Sequence, residues 1–174
     1  LQRDLGWGSS ARKLEASRVG ARARAWPIRF GASMLVPVGD DWQLTFKTSG
    51  QWSRHALVPG EMFGAGGPGT VRGYREREIS GDIGVSGSVE FGRLGLLTPE
   101  TGGDTAVHLF AFADAAEVRN RGGLECLEGA VRCRIASIGG GLRATWKDWS
   151  IHLDLGYPWR NTAETRRGTY RAHF

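Results

Sequence analysis

Alternate residues from Trp42 to Trp52 fall into two sets. Trp42, Leu44, Phe46, Thr48, Gly50 and Trp52 share one side, and Gln43, Thr45, Lys47, Ser49 and Gln51 share the other. A period of two belongs to an extended strand, because successive Cβ atoms in a strand point to opposite faces. Trp149–Tyr157 repeats the arrangement, with Trp149, Ile151, Leu153, Leu155 and Tyr157 against Ser150, His152, Asp154 and Gly156. In both segments aromatic residues close the apolar stripe at its ends. Five further segments follow the rule less strictly: Trp26–Val38, Ile83–Leu94, Ala106–Val118, Cys133–Trp146 and Gly168–Phe174. In Ile83–Leu94, Ile83, Val85, Gly87, Val89 and Phe91 oppose Gly84, Ser86, Ser88, Glu90 and Gly92. In Ala106–Val118, Val107, Leu109, Ala111, Ala113 and Ala115 oppose His108, Phe110, Phe112 and Asp114. The last segment sets Tyr170, Ala172 and Phe174 on one side.

The alternation predicts an all-β, antiparallel protein but not which face is dry. In a soluble sandwich the apolar faces point inward; in a membrane barrel they point outward and the polar faces line the lumen. Three features favour the membrane. The segments exceed the five or six residues usual in soluble domains and suit a tilted strand crossing a bilayer in about 9–11 residues. Their aromatics sit where a strand would meet the two lipid–water interfaces. The connections differ in length, as in outer-membrane barrels: Lys147-Asp148 is a tight turn, Leu97–Thr105 is intermediate, and Ser53–Asp82, Arg119–Arg132 and Pro158–Arg167 are long and polar. Every backbone group in lipid needs a partner, so a spanning sheet must close. Seven consecutive strands therefore read as part of a larger barrel, while residues 1–25 show no clean period.

Composition fits this picture. The chain has 174 residues, 40% of them hydrophobic and 27 of them Gly. It contains no apolar run of the length a transmembrane helix needs, and its slightly negative mean hydropathy is what alternating strands produce. The opening Leu1-Gln2-Arg3-Asp4 has neither an initiator Met nor an apolar signal region, so a processed precursor or a fragment is expected. The net charge of +5 is spread along the chain, and its densest basic stretch, Arg18–Arg29, is not interleaved with aromatics in the manner of a nucleic-acid site; no nucleic-acid partner is expected.

The loop Ser53–Asp82 carries the candidate chemistry, since loops of this length in compact proteins are usually functional or disordered. Gly64, Gly66 and Gly69 match the dinucleotide-binding spacing G-x-G-x-x-G, but no helix-forming run follows and no βαβ unit surrounds them. A phosphate-binding P-loop fails for want of the Lys. The glycines read instead as permissive bends that set Arg72 on a compact, kinked hairpin. Cys126 and Cys133 are close enough to form a local disulfide in an oxidising compartment, the alternative being two free thiols. No His beside them completes a four-ligand metal set. The four His are scattered, and Gly84-Val85-Ser86-Gly87-Ser88 lacks the last Gly of a nucleophile elbow. The expectation is a protein that is not an enzyme and has no cofactor, metal site or catalytic residues.

The run Leu57-Val58-Pro59-Gly60-Glu61-Met62-Phe63, continuing through Gly66-Gly67, Val71-Arg72-Gly73-Tyr74 and Ser80-Gly81-Asp82, resembles the two-partner secretion transporters, the TpsB or haemolysin-activator family (ShlB/FhaC/HecB type). That family shares a superfamily with the barrel-assembly protein BamA. Gly139–Leu142, Leu153-Asp154-Leu155-Gly156-Tyr157-Pro158 and the terminal Phe174 look like the family's ending. The resemblance covers about residues 26–174 and implies the C-terminal region, about seven strands, of a sixteen-stranded antiparallel transmembrane β-barrel, residues 1–174 lacking the POTRA and plug regions. The Val-Arg-Gly-Tyr signature lies in the superfamily's sixth external loop, and five strands follow it in this reading, as the family requires. In that superfamily the loop folds into the lumen and its Arg meets the Asp of a Phe-x-Asp motif. Here the motif matches Phe112-Ala113-Asp114, and the alternation already places Asp114 on the lumen side. The bland alternative is a solvated Arg72 and a lumen-lining Asp114.

The implied function is an outer-membrane translocation pore for a large partner exoprotein of haemolysin or adhesin type. The exoprotein would arrive unfolded from the periplasm and pass Ser86, Ser88, Glu90, His108 and His152 on a wet lumen face. Export would draw on folding of the cargo outside, because no ATP site is evident. The implied location is the bacterial outer membrane. The implied partners are the exoprotein, the lipid bilayer and the barrel-assembly machinery that inserts the chain. The rival readings are a barrel-assembly protein of the same superfamily and a passive porin or adhesin.

Overall fold

A computed structural model describes residue 18 and residues 25–93, 95, 105–127 and 129–174. These form strands β1 (Ile28–Val38), β2 (Trp42–Trp52), β3 (Phe63–Ala65), β4 (Ile79–Gly81), β5 (Ile83–Arg93), β6 (Thr105–Arg119), β7 (Arg132–Trp146), β8 (Trp149–Pro158) and β9 (Arg171–His173). Seven of them make one antiparallel sheet in the order β1-β2-β5-β6-β7-β8-β9, and β3 and β4 pair as a separate hairpin within the β2–β5 connection. The only helical turn among the described residues is Pro59–Glu61.

Local chemistry sets the ends of the strands. β1 starts at Ile28 rather than Trp26, because Pro27 has no N–H to give to a ladder. The β7–β8 hairpin closes through Lys147 in the left-handed region, φ 52°, which matches the twist of the two strands. The final strand is shorter than the segment Gly168–Phe174: turn hydrogen bonds from Gly168 N to Pro158 O and from Thr169 N to Arg166 O hold the preceding residues out of the ladder. Leu94 and most of the Leu97–Thr105 connection lie outside the described residues, as does most of residues 1–25.

The sheet is inside out compared with a soluble fold. On β8, Trp149, Ile151, Leu153 and Leu155 are exposed, Leu155 by 49%, while the adjacent Asp154 is 4% exposed. On β5 and β6, Val85, Val89, Phe91 and Leu109 are exposed, whereas Ser86, Glu90, Phe112 and Asp114 are buried. Large apolar side chains left facing outward on every long strand are the mark of a surface that meets lipid. A sheet in lipid cannot keep free edges. The edge strands here, β1 and β9, have no further partner strand among the described residues, so the sheet is an arc of a barrel.

What covers the polar face is the β2–β5 connection. Its apolar residues Ala65, Val71, Tyr74 and Ile79 pack with Ala116, Val118, Cys133 and Ile135 on the inner face of β6 and β7. Ser53–Asp82 reads in the sequence as a long, polar loop, yet Leu57, Val71, Tyr74 and Ile79 within it are at most 1% exposed, because a segment lying against the wall has to bury a small core of its own.

Candidate functional site

The loop reaches the wall at Val71-Arg72-Gly73-Tyr74. Gly66 and Gly67 have φ of 116° and 88°, and Thr70 ties the bend by accepting from Gly66 N at 2.8 Å and donating to Gly66 O at 3.0 Å. Gly73 has φ 88°, and a Cβ there would lie 3.0 Å from the Gly156 carbonyl carbon on β8. Two glycines thus meet where loop and wall approach most closely. Val71 and Tyr74, on either side, fill the small core, and the Tyr74 hydroxyl accepts from Arg160 N at 3.0 Å while facing the Ala136 and Arg160 carbonyl oxygens at 3.1 Å.

Arg72 stands between these contacts, 4% exposed. Its Nε and Nη2 donate to Asp114 Oδ2 and Oδ1, both at 2.8 Å, and its backbone N donates to Oδ2 at 3.0 Å. Nη1 donates to Glu90 Oε1 at 2.6 Å and lies 3.7 Å from Asp154 Oδ1; Nη2 also reaches Ser88 Oγ at 3.1 Å. The guanidinium carbon sits 3.5 Å from the centre of the Phe112 ring, a cation–π contact on one face of the fork. Phe112 and Phe110 have room because they pair across the ladder with Gly139 and Gly141 of β7, where any side chain would strike the rings. Three strands thus supply three carboxylates around one cation: Glu90 from β5, Asp114 from β6 and Asp154 from β8. Arg143 of β7 adds a second cation, with Nη2 3.0 Å from Glu90 Oε2.

Burial works against the charge of Arg72, but the hydrogen bonds and charges of Asp114 and Glu90 outweigh it and raise its pKa above the usual value. The cation is therefore fixed, and it binds through a planar fork that a Lys does not reproduce. Removing it would leave buried carboxylates uncompensated, a cost of roughly 3–5 kcal/mol. Beside the cluster lies a polar cavity of about 220 Å³, bordered by Lys47, Ser49, Ser86 and His152.

Other contacts fasten the loop further out. Asp82, fully buried, accepts from Leu57 N at 2.7 Å, Arg121 N at 2.8 Å and Arg18 Nη1 at 2.5 Å. Glu78 accepts from Thr162 and from Thr165 Oγ1, the latter at 2.6 Å, and from Arg75 N at 2.7 Å. Burial alone would raise the Glu78 pKa, but these bonds hold it below the usual carboxylate range. Gly73 N donates to His173 Nε2 of β9 at 3.2 Å. Cys126 and Cys133 are joined in a disulfide; Cys133 lies near the start of β7, and it belongs to the core that holds Val71 and Tyr74.

Sequence reasoning put Glu90 and Asp154 on inner faces without connecting either to Arg72, and it assigned no role to Arg143, Asp82 or His173. The available signal was that Glu90, Asp114 and Asp154 are the acidic residues of the inner faces of three strands; turning that into one cluster requires the register.

A family model described as haemolysin secretion/activation protein ShlB/FhaC/HecB matches residues 1–144, a span that contains Arg72, Glu90 and Asp114. No curated protein and no solved structure matches the chain.

Proposed function

This chain belongs to the haemolysin secretion/activation family, whose members are outer-membrane transporters of two-partner secretion, and on that premise we propose that it forms wall and gate of a pore exporting a large unfolded exoprotein. The wall is the sheet, apolar toward lipid and polar toward the lumen. The gate is the segment 53–82, held against the inner face by Arg72. The observation that carries this reading is the burial of Arg72 among Asp114, Glu90 and Asp154. A loop with no task in the lumen gains nothing from a desolvated cation that an apolar residue could replace at similar stability. A set of carboxylates surrounding a single fork can hold a segment firmly in one place and accept it again after displacement.

In this mechanism the cargo enters extended from the periplasm and meets the docked loop. The polar groups beside the cluster, Ser88, Lys47, Ser49 and His152, exchange hydrogen bonds with its backbone as the loop gives way. Folding of the cargo outside makes the passage directional, and the barrel-assembly machinery inserts the transporter itself. In the full-length transporter, Arg72→Ala and Asp114→Asn should each cut export of the exoprotein severalfold, measured as cargo in the medium, while the barrel keeps its heat-modifiable mobility on a gel. Normal export by both variants would refute the gate.

A further inference from the structure

The outer face of the sheet changes character abruptly at one end of β6 and β7. Below, Ala113, Ala115, Ala136 and Ile138 continue the apolar surface. Above, the same outward-facing positions are Glu117 and Arg119 on β6 and Arg134 and Arg132 on β7, paired Glu117↔Arg134 and Arg119↔Arg132. Glu117 accepts from Arg134 Nε at 2.5 Å and forms an ion pair with Arg132, whose Nε lies 3.0 Å from its other oxygen. Among the described residues the Nη groups of these two arginines make no hydrogen bond. Trp159 N donates to Ala136 O at 2.9 Å, which carries the chain past the end of β8 and sets Arg160 beside Arg134. This rim thus carries four arginines and one glutamate, and two of the arginines pair with the glutamate. Among the described residues the opposite rim mixes the signs: Asp40, Asp41, Arg93, Lys147 and Asp148, with Arg93 and Asp41 paired at 3.0 Å.

Immediately beneath the arginines runs an outward-facing groove of about 380 Å³, its floor formed by Val85, Gly87, Ala115 and Ala136 and its rim by Arg134 and Arg160. The height of this rim follows from strand geometry. From Trp146 to Arg134, β7 climbs roughly 30 Å at the usual rise and tilt, against an apolar band of about 25 Å. Trp146 is 57% exposed and marks the lower interface; Arg134 therefore stands at the upper one, where lipid headgroups begin. A lipid-facing charge is costly at the bilayer centre and nearly free at the interface, so the arginines are tolerated there. Tolerance does not account for their excess of one sign or for the apolar groove below them.

We propose that this groove and its arginine rim seat a phosphorylated lipid of the outer leaflet, the phosphate on the Nη groups of Arg134 and Arg160 and an acyl chain along Gly87, Ala115 and Ala136. The charge complementarity is direct, since guanidinium forks bind phosphate oxygens in pairs. Glu117 limits the affinity by occupying two of the four arginines. The inference concerns the membrane face and not the lumen, so it stands or falls separately from the gate.

The test uses the intact transporter in mild detergent, with bisphosphorylated lipid A as the probe and native mass spectrometry as the readout. One lipid should remain bound, and the double variant Arg134→Gln with Arg160→Gln should weaken binding about tenfold or more. Glu117→Gln should strengthen it by freeing both neighbouring guanidiniums, and Ala115→Trp should weaken it with the arginines intact. The Glu117→Gln arm keeps the test decisive even where the double variant folds poorly. Equal binding of dephosphorylated lipid A, no gain in Glu117→Gln, or competition by inorganic phosphate at concentrations matching the lipid would overturn the proposal.

Discussion

A single guanidinium gathers carboxylates from three strands of the sheet, β5, β6 and β8. Arg72 spends its Nε and Nη2 on Asp114 and its Nη1 on Glu90, so charge alone does not replace it. Arg72→Lys should therefore behave more like a loss than a conservative change: one ammonium cannot span both carboxylates. Export by Arg72→Lys should fall close to the Arg72→Ala level, and full export by the Lys variant would show that only the charge matters. Gly156 tests the same contact from the wall. A Cβ at that position would lie 2.7 Å from the Arg72 carbonyl carbon, so Gly156→Ala should lift the motif off β8 and increase proteolysis of the loop, with the sheet intact. At this scale the chain is only partly legible. Strand phase alone turns Asp114 inward, and the motif singles out Arg72; that Glu90 and Asp154 face the same atom depends on the register between β5, β6, β7 and β8, which a period of two does not specify.

The long strands are readable because two-fold alternation survives wherever one face meets lipid and the other water. The β3–β4 hairpin is not, since three residues per strand carry no period and its glycines disguise it as coil. Two devices anchor that segment. The disulfide between Cys126 and Cys133 closes a short ring against the loop's apolar core, worth roughly 2–3 kcal/mol on a chain-entropy account; Cys126→Ser with Cys133→Ser should lower resistance to denaturant by about that amount and raise amide exchange at Val71 and Tyr74. The Glu78 clasp on Thr162 and Thr165 depends on pH. Its folded pKa lies below its unfolded value, so the clasp contributes fully above the ordinary carboxylate pKa of about 4.3 and is lost as the pH falls through the lowered value. Proteolysis of the loop should therefore rise only in strong acid, and Glu78→Gln should remove that dependence.

The molecule as a whole is defined by which of its faces is wet. Leu153 is exposed at the middle of β8 and the adjacent Asp154 is buried. In a soluble protein an exposed Leu→Arg change is nearly neutral, within about 0.5 kcal/mol. On a lipid face near mid-bilayer, Leu153→Arg should destabilise the barrel by about 2–4 kcal/mol in vesicles, while Ser150→Arg on the inner face should cost much less. In the proposed gate the loop is the element that moves, and the claim that it gates export rests on Arg72 and Asp114 acting as a unit. A double-mutant cycle on export addresses that directly: cargo release is measured for Arg72→Ala, Asp114→Ala and the two combined. The gate predicts that the double variant exports no worse than the poorer single variant, because either change already breaks the lock; losses that multiply as if independent would contradict it.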